Sequence, residues 1–290
     1  MKNLSGVLIS LISIAMTALV AGCCTTLTER HEVVTTVNSA DESPITYGVR
    51  GDGDITVVFI HCWTCNHEFW RPQIEAFSNE HRVVWIDLAG HGLSGSNRTQ
   101  YTMRAFGEDV AAVVRELNAE KVVLVGHSMG GPVAIEAANN LGDRVIGIVG
   151  VDTFYTPFEY PNSETAINEF VKPFRDDFKS ASESLVRSMF KPSADPEQVT
   201  SIVDQMSIVD PQMGVSAIYE IFKWNAQSTP SALDAHSDIL WNINAEPTEN
   251  TQVTNDRLII IPGVGHFVAQ VKPKEFNITL KRIISMLQTK

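Results

Sequence analysis

The decapeptide VVLVGHSMGG, residues 122–131, runs four apolar residues into a serine bracketed by Gly126 and Gly130. A hydroxyl held at a sharp strand-to-helix bend projects above the sheet edge, and flanking glycines let strand and helix close up behind it. That pattern makes Ser128 a candidate nucleophile. A serine hydroxyl reacts at neutral pH only beside a base, and eight histidines compete for the role. His31 belongs to the N-terminal tail, His81 and His236 to polar segments, and His127 adjoins the serine and would point away from it. His61 and His91 sit in turns, where each would support a loop. His266, in IIIPGVGHFV, follows the last apolar run on a glycine-bracketed loop aimed at the same sheet edge, and is the predicted base. Charge developing on an attacked carbonyl oxygen needs two backbone N–H donors. The predicted pair is Met129, directly after the serine, and Trp63, in the turn after TVVFIH.

These residues need a rigid frame, and the chain supplies one. Continuous apolar runs at 55–61, 82–87, 121–126 and 145–152 read as strands buried on both faces. Runs at 238–243 and 257–262 extend the set, and 32–37 with 44–50 read as an antiparallel hairpin at the sheet edge. Helical periodicity lies between them. Phe106, Val110, Val113, Val114 and Leu117 share one face of 102–117, with Thr102 as N-cap. Phe276, Leu280, Ile283, Ile284 and Leu287 repeat the spacing in 272–287, and 129–141 ends at Gly142. Alternating strands and helices predict an α/β fold with a mostly parallel sheet covered by helices. Residues 153–236 interrupt the alternation with helical patterns near 163–190, 195–206 and 212–225, and read as a helical insertion.

The N-terminus carries a separate message. Lys2, an apolar run from Val7 to Val20 and the small pair Ala21-Gly22 make residues 1–22 a secretory signal. The segment LVAGC resembles a bacterial lipoprotein box, which would make Cys23 the lipidated first residue of the mature chain and 23–32 a tether. The expected location is the cell envelope, anchored to a membrane by lipid. An exported chain permits a disulfide. Across only two residues such a ring would be tight, so Cys62 and Cys65 are expected as small, partly buried residues, with the bridge as the alternative. No second Cys/His pair stands at zinc-ligand spacing. A net charge of −12 without a basic cluster argues against nucleic acid as a partner.

In order and spacing, HCWTCNHEFW, DLAGHGLSG, VVLVGHSMGG, VIGIVGVDT and GVGHF resemble the α/β-hydrolase superfamily, in its esterase-like branch with a helical cap. The resemblance covers residues 45–152 and 238–288 and implies an eight-stranded sheet, a pocket under the cap and a Ser–His–acid triad. It divides the chain into a core of 33–152 and 237–290 and a cap of 153–236. Members usually carry His-Gly where this chain has His61-Cys62. The acid is expected after the seventh strand, where NINAEPTEN offers only Glu246, or at the tip of the sixth, where Asp152 stands; Asp152 is preferred and Glu246 kept as the alternative. The implied reaction is hydrolysis of a small-molecule carboxylic ester through an acyl-enzyme, without metal or organic cofactor. A lactone, thioester or carbon–carbon bond would suit the same constellation. So would haloperoxidase-like side reactivity, and a non-catalytic ligand-binding lipoprotein is the reading from a different class.

Overall fold

Runs of β-branched residues with no polar interruption can be satisfied only in the middle of a sheet, and that is where they lie. The computed structural model describes residues 32–156, 158–247 and 256–288. Its strands are β1 (Val33–Asn38), β2 (Pro44–Arg50), β3 (Thr56–Ile60), β4 (Arg82–Ile86), β5 (Val122–His127), β6 (Val145–Val151), β7 (Leu240–Ala245) and β8 (Leu258–Ile261). They form one eight-stranded sheet in the order β1-β2-β4-β3-β5-β6-β7-β8. β1 pairs antiparallel with β2 and β2 antiparallel with β4, and every later pairing is parallel. Every residue of β3 and β5 is buried, whereas five of the six in the edge strand β1 are exposed.

The helices are α1 (Arg71–Phe77), α2 (Met103–Glu116), α3 (Gly130–Leu141), α4 (Glu164–Asp176), α5 (Phe178–Ser188), α6 (Pro196–Ser207), α7 (Pro211–Ala235), α8 (Val268–Val271) and α9 (Pro273–Gln288). Strand alternation splits the core in two. Val58, Ile60 and Leu124 face Phe106, Val110, Val133 and Ile135 of α2 and α3. Val57, Phe59, Val123 and Val125 face Phe77 of α1 and Phe276, Leu280 and Ile284 of α9. Burial of each such side chain contributes about 1.5–3 kcal/mol, so the two layers together hold the central strands, and with them β5, in place. The Thr102 hydroxyl caps α2 by accepting the Ala105 N–H at 3.1 Å. Gly142 ends α3 with φ 57°.

Helices α4 to α7 fill the interval between β6 and β7. The pattern at 163–190 is two helices: α4 stops just after Pro173, and Asp177 caps α5 by accepting the Ser180 N–H at 3.1 Å. The pattern at 212–225 continues through Pro230 as a 25-residue helix to Ala235. The signal, the tether and Cys23 lie outside the described residues. Among the described residues no helix is long and apolar enough to cross a membrane.

Candidate active site

Ser128 occupies the bend between β5 and α3 with φ 53°, a left-handed conformation that a non-glycine residue holds only when its surroundings enforce it. Its N–H donates to the Val151 carbonyl at 2.9 Å, tying the bend to β6. The glycines have a steric cause. A Cβ on Gly126 would sit 2.0 Å from the Gly130 carbonyl oxygen, and one on Gly130 would sit 2.6 Å from that of Ile60. Strand, bend and helix therefore pack closer than any side chain allows. The N-terminus of α3, with its partial positive charge, lies directly behind the serine.

His266 lies on the loop between β8 and α8. Two main-chain bonds hold it: its N–H donates to the Met189 carbonyl at 3.0 Å, and its carbonyl accepts from His127 Nε2 at 3.0 Å. His127 is thus turned away from the serine and supports the histidine loop from below. Burial pushes its pKa down to about 3, so it stays a neutral donor.

Asp152 follows β6, also with positive φ (44°), and its N–H donates to Ile243 O at 3.0 Å. One carboxylate oxygen, Oδ2, lies 2.6 Å from His266 Nδ1, and the other accepts the Ala245 N–H at 2.8 Å. Burial drives this carboxyl upward. The hydrogen bond and charge of His266, with the Ala245 N–H, outweigh that and hold its pKa below the ordinary value. Glu246 is turned elsewhere. It accepts the Gly263 N–H at 3.4 Å and faces Lys191 Nζ at 3.7 Å, with half of its side chain exposed.

The turn after β3 completes the group. The Trp63 indole N–H donates to the Gly214 carbonyl at 2.8 Å, and its ring packs edge-on against Phe174 and Phe178. Neither Trp63 N–H nor Met129 N–H has an acceptor among the described residues. The expectation that Cys62 and Cys65 stand unpaired is corrected here: they form a disulfide, and both are buried. The reason is local. Thr64 adopts φ 55° and the Cys65 N–H donates to Cys62 O at 3.1 Å, so the chain reverses tightly enough to bring the sulfurs together.

Trp63, Ser128, Met129, Asp152 and His266 all open onto one cavity of about 670 Å³. Its roof comes from the segment between β6 and β7, including Phe170, Leu185, Met189 and Phe222. Phe170 and Phe222 meet edge-on at 4.7 Å. These two rings both pack against each other and line the cavity, and nothing in their spacing along the sequence separates the two roles. Glu246 reaches the same cavity. Among the described residues no cluster of three His, Cys, Asp or Glu is arranged to hold a metal ion.

A strained serine between a parallel strand and its helix, a histidine beyond the last strand and a carboxylate at the tip of β6 form a known architectural combination. Residues 55–191 match the family model described as alpha/beta hydrolase fold. The chain has the α/β-hydrolase fold. A thermophilic esterase from Thermogutta terrifontis shares that fold, superposing with a TM-score of 0.74 at 21% identity over 88% of this chain and 99% of the other. In sequence, the chain is 32% identical over 120 residues to a 2-(acetamidomethylene)succinate hydrolase from Mesorhizobium japonicum, covering 41% of this chain and 42% of that protein. It is 31% identical over 133 residues to a pimeloyl-[acyl-carrier protein] methyl ester esterase from Aliivibrio salmonicida, covering 44% and 49%. The chain thus spans less than half the length of either relative. The matched segment contains the turn after β3, the serine bend and Asp152, and His266 lies beyond it.

Proposed function

We propose that this chain is a serine hydrolase that cleaves a carboxylic ester-type bond of a small molecule through an acyl-enzyme. The observation that carries the reading is the 2.6 Å contact between Asp152 and His266 on the wall of the cavity that also exposes Ser128. Asp152 holds the proton on Nδ1, which leaves Nε2 free to accept the Ser128 hydroxyl proton as Oγ attacks the carbonyl carbon. The oxyanion is stabilised by the Met129 and Trp63 N–H groups. Histidinium then returns its proton to the departing alkoxide, and the second half repeats the cycle with water as nucleophile to release the acid and regenerate Ser128.

The apolar roof favours a substrate with an aliphatic or aromatic acyl group, because a cavity lined by Phe, Leu and Met recovers little from a charged one. Residues 153–236 act as the cap over this site. The sequence of the first 23 residues supports export and anchoring through a lipid on Cys23, which leaves the hydrolytic body in water beside a membrane surface.

The test is direct. A fluorophosphonate probe should label the purified protein and not Ser128→Ala, and turnover of a short-chain p-nitrophenyl ester should vanish with the labelling. Equal labelling of both proteins would overturn the assignment.

A further inference from the structure

The proposed oxyanion donor Trp63 N–H belongs to the same planar peptide as the Cys62 carbonyl. In a trans peptide the N–H and C=O point in opposite directions, so whatever fixes that carbonyl also aims the N–H. Two donors fix it. His61 Nδ1 lies 2.8 Å from Cys62 O, and the Cys65 N–H donates to the same oxygen at 3.1 Å. His61 can donate from Nδ1 because its Nε2 accepts the Leu88 N–H at 3.0 Å, which settles the tautomer. One bond thus comes from a fully buried ring anchored to β4's exit, whereas the other comes from Cys65, whose position relative to Cys62 is set by the disulfide.

Besides these two bonds, the Trp63 indole N–H donates to Gly214 O at 2.8 Å and holds the ring rather than the Cys62 carbonyl. Thr64 sits in the left-handed region, and its buried hydroxyl has no hydrogen-bond partner among the described residues. On the other side, the turn is pressed against α3, whose Gly130 has no room for a Cβ beside Ile60 O. Glycine at position 62 would be free to explore other backbone angles. Cysteine there is restrained by its Cβ and by its covalent link to residue 65.

We propose that the Cys62–Cys65 disulfide is a positioning element of the oxyanion hole, and that opening it slows the acyl-transfer step. This rests on the serine-hydrolase reading above and adds to it a covalent clamp that the serine, histidine and aspartate do not provide. The opening reaction needs a dithiol. Its two sulfurs supply two electrons and two protons, the Cys62–Cys65 bond breaks to give two thiols, and the dithiol closes to its own cyclic disulfide. Once opened, Cys65 is free to move off Cys62 O, the His61 ring remains as one donor of the two, and the Trp63 N–H is aimed less tightly at the oxyanion. Neither cysteine lines the cavity, so the effect belongs to kcat.

The experiment compares the full chain, the double variant Cys62→Ser/Cys65→Ser, and the wild-type chain treated with dithiothreitol, with thiols counted by alkylation and mass. Removing an oxyanion donor outright costs about 10²–10³ in kcat; a misaimed donor should cost about 10- to 100-fold, with KM changed by less than about threefold. Affinity for a boronic acid that mimics the tetrahedral intermediate should fall by the same factor as kcat. A disulfide that only stabilises the fold would lower the melting temperature and leave kcat per titrated Ser128 unchanged, and that result overturns the proposal. So does a variant that cannot fold together with a wild-type bond that dithiothreitol opens only on unfolding. Failure of the parent reading looks different: Ser128→Ala would then retain turnover, whereas here Ser128→Ala is inactive and only the disulfide comparison is flat.

Discussion

Replacing Asp152 by asparagine tests the site with almost no change of shape, and the structure specifies how the amide must sit. The Ala245 N–H donates to one side-chain oxygen at 2.8 Å, and that donor persists in the variant. An amide oriented with its NH2 toward Ala245 would oppose two donors, so its oxygen takes that place and its NH2 turns toward His266 Nδ1. The ring must then accept at Nδ1 and carry its proton on Nε2, the nitrogen that should receive the Ser128 proton. Asp152→Asn therefore selects the wrong tautomer while keeping every contact distance. The expected loss is about 10⁴-fold in kcat, or about 5 kcal/mol of transition-state stabilisation, with KM for a p-nitrophenyl ester changed little. Glu246→Gln serves as the comparison. Glu246 is half exposed, at 3.7 Å from Lys191, and an ion pair of that kind contributes about 0–1 kcal/mol. Its neutralisation should leave kcat within about twofold. A kcat for Asp152→Asn within tenfold of wild type, or a collapse in Glu246→Gln instead, would refute the tautomer argument and move the acid to the loop after β7.

Two further outcomes follow from other parts of the structure. Gly126→Ala places a methyl 2.0 Å from Gly130 O, so backbone must shift; overpacking of this kind costs about 1–3 kcal/mol, seen as a lower melting temperature with an accompanying loss of turnover. A variant with wild-type melting and turnover would show that strand and helix are not held that closely. The second concerns acid. Burial lowers the pKa of His91 and His127 to about 3 each, whereas both titrate near 6.5 once unfolded. Below pH 6.5 the unfolded chain binds protons that the folded chain refuses, so the contribution of these rings is complete above that pH and is lost as pH falls toward 3. The slope is about 1.4 kcal/mol per pH unit for each ring. Urea midpoints measured from pH 7 to pH 4 should fall, and His127→Gln should remove one proton's worth of that slope; an unchanged slope would mean the ring is charged in the folded state.

Much of this is legible in the sequence alone. The runs VVFI of β3 and VVLV of β5 carry no polar side chain toward either helix layer, so they fit only central strands. The serine bend was readable because its glycines answer a local demand for space. What stayed hidden depends on distances between residues remote in sequence. Asp152 and Glu246 both stand at the C-terminal tips of neighbouring strands, and only the path of the chain after each tip turns one carboxylate toward His266 and the other toward Lys191. Cys62 and Cys65 were underestimated for a different reason: the ring closes because Thr64 accepts a left-handed backbone, which its residue type does not announce. The length of α7 was missed because Pro230 signals a break, and the helix passes through it.

The excursion that forms the cavity roof leaves the sheet at the end of β6 and rejoins it at the start of β7, and these two strands are immediate neighbours. Parts of that excursion can lengthen or shorten without re-registering a strand pair, provided the Met189 carbonyl still meets the His266 N–H and the Gly214 carbonyl the Trp63 indole. Ser128 and His266 are built on the other side of that boundary. A library confined to roof positions away from Met189 and Gly214 would vary the lining of the cavity while leaving in place the two carbonyls that anchor the His266 and Trp63 loops.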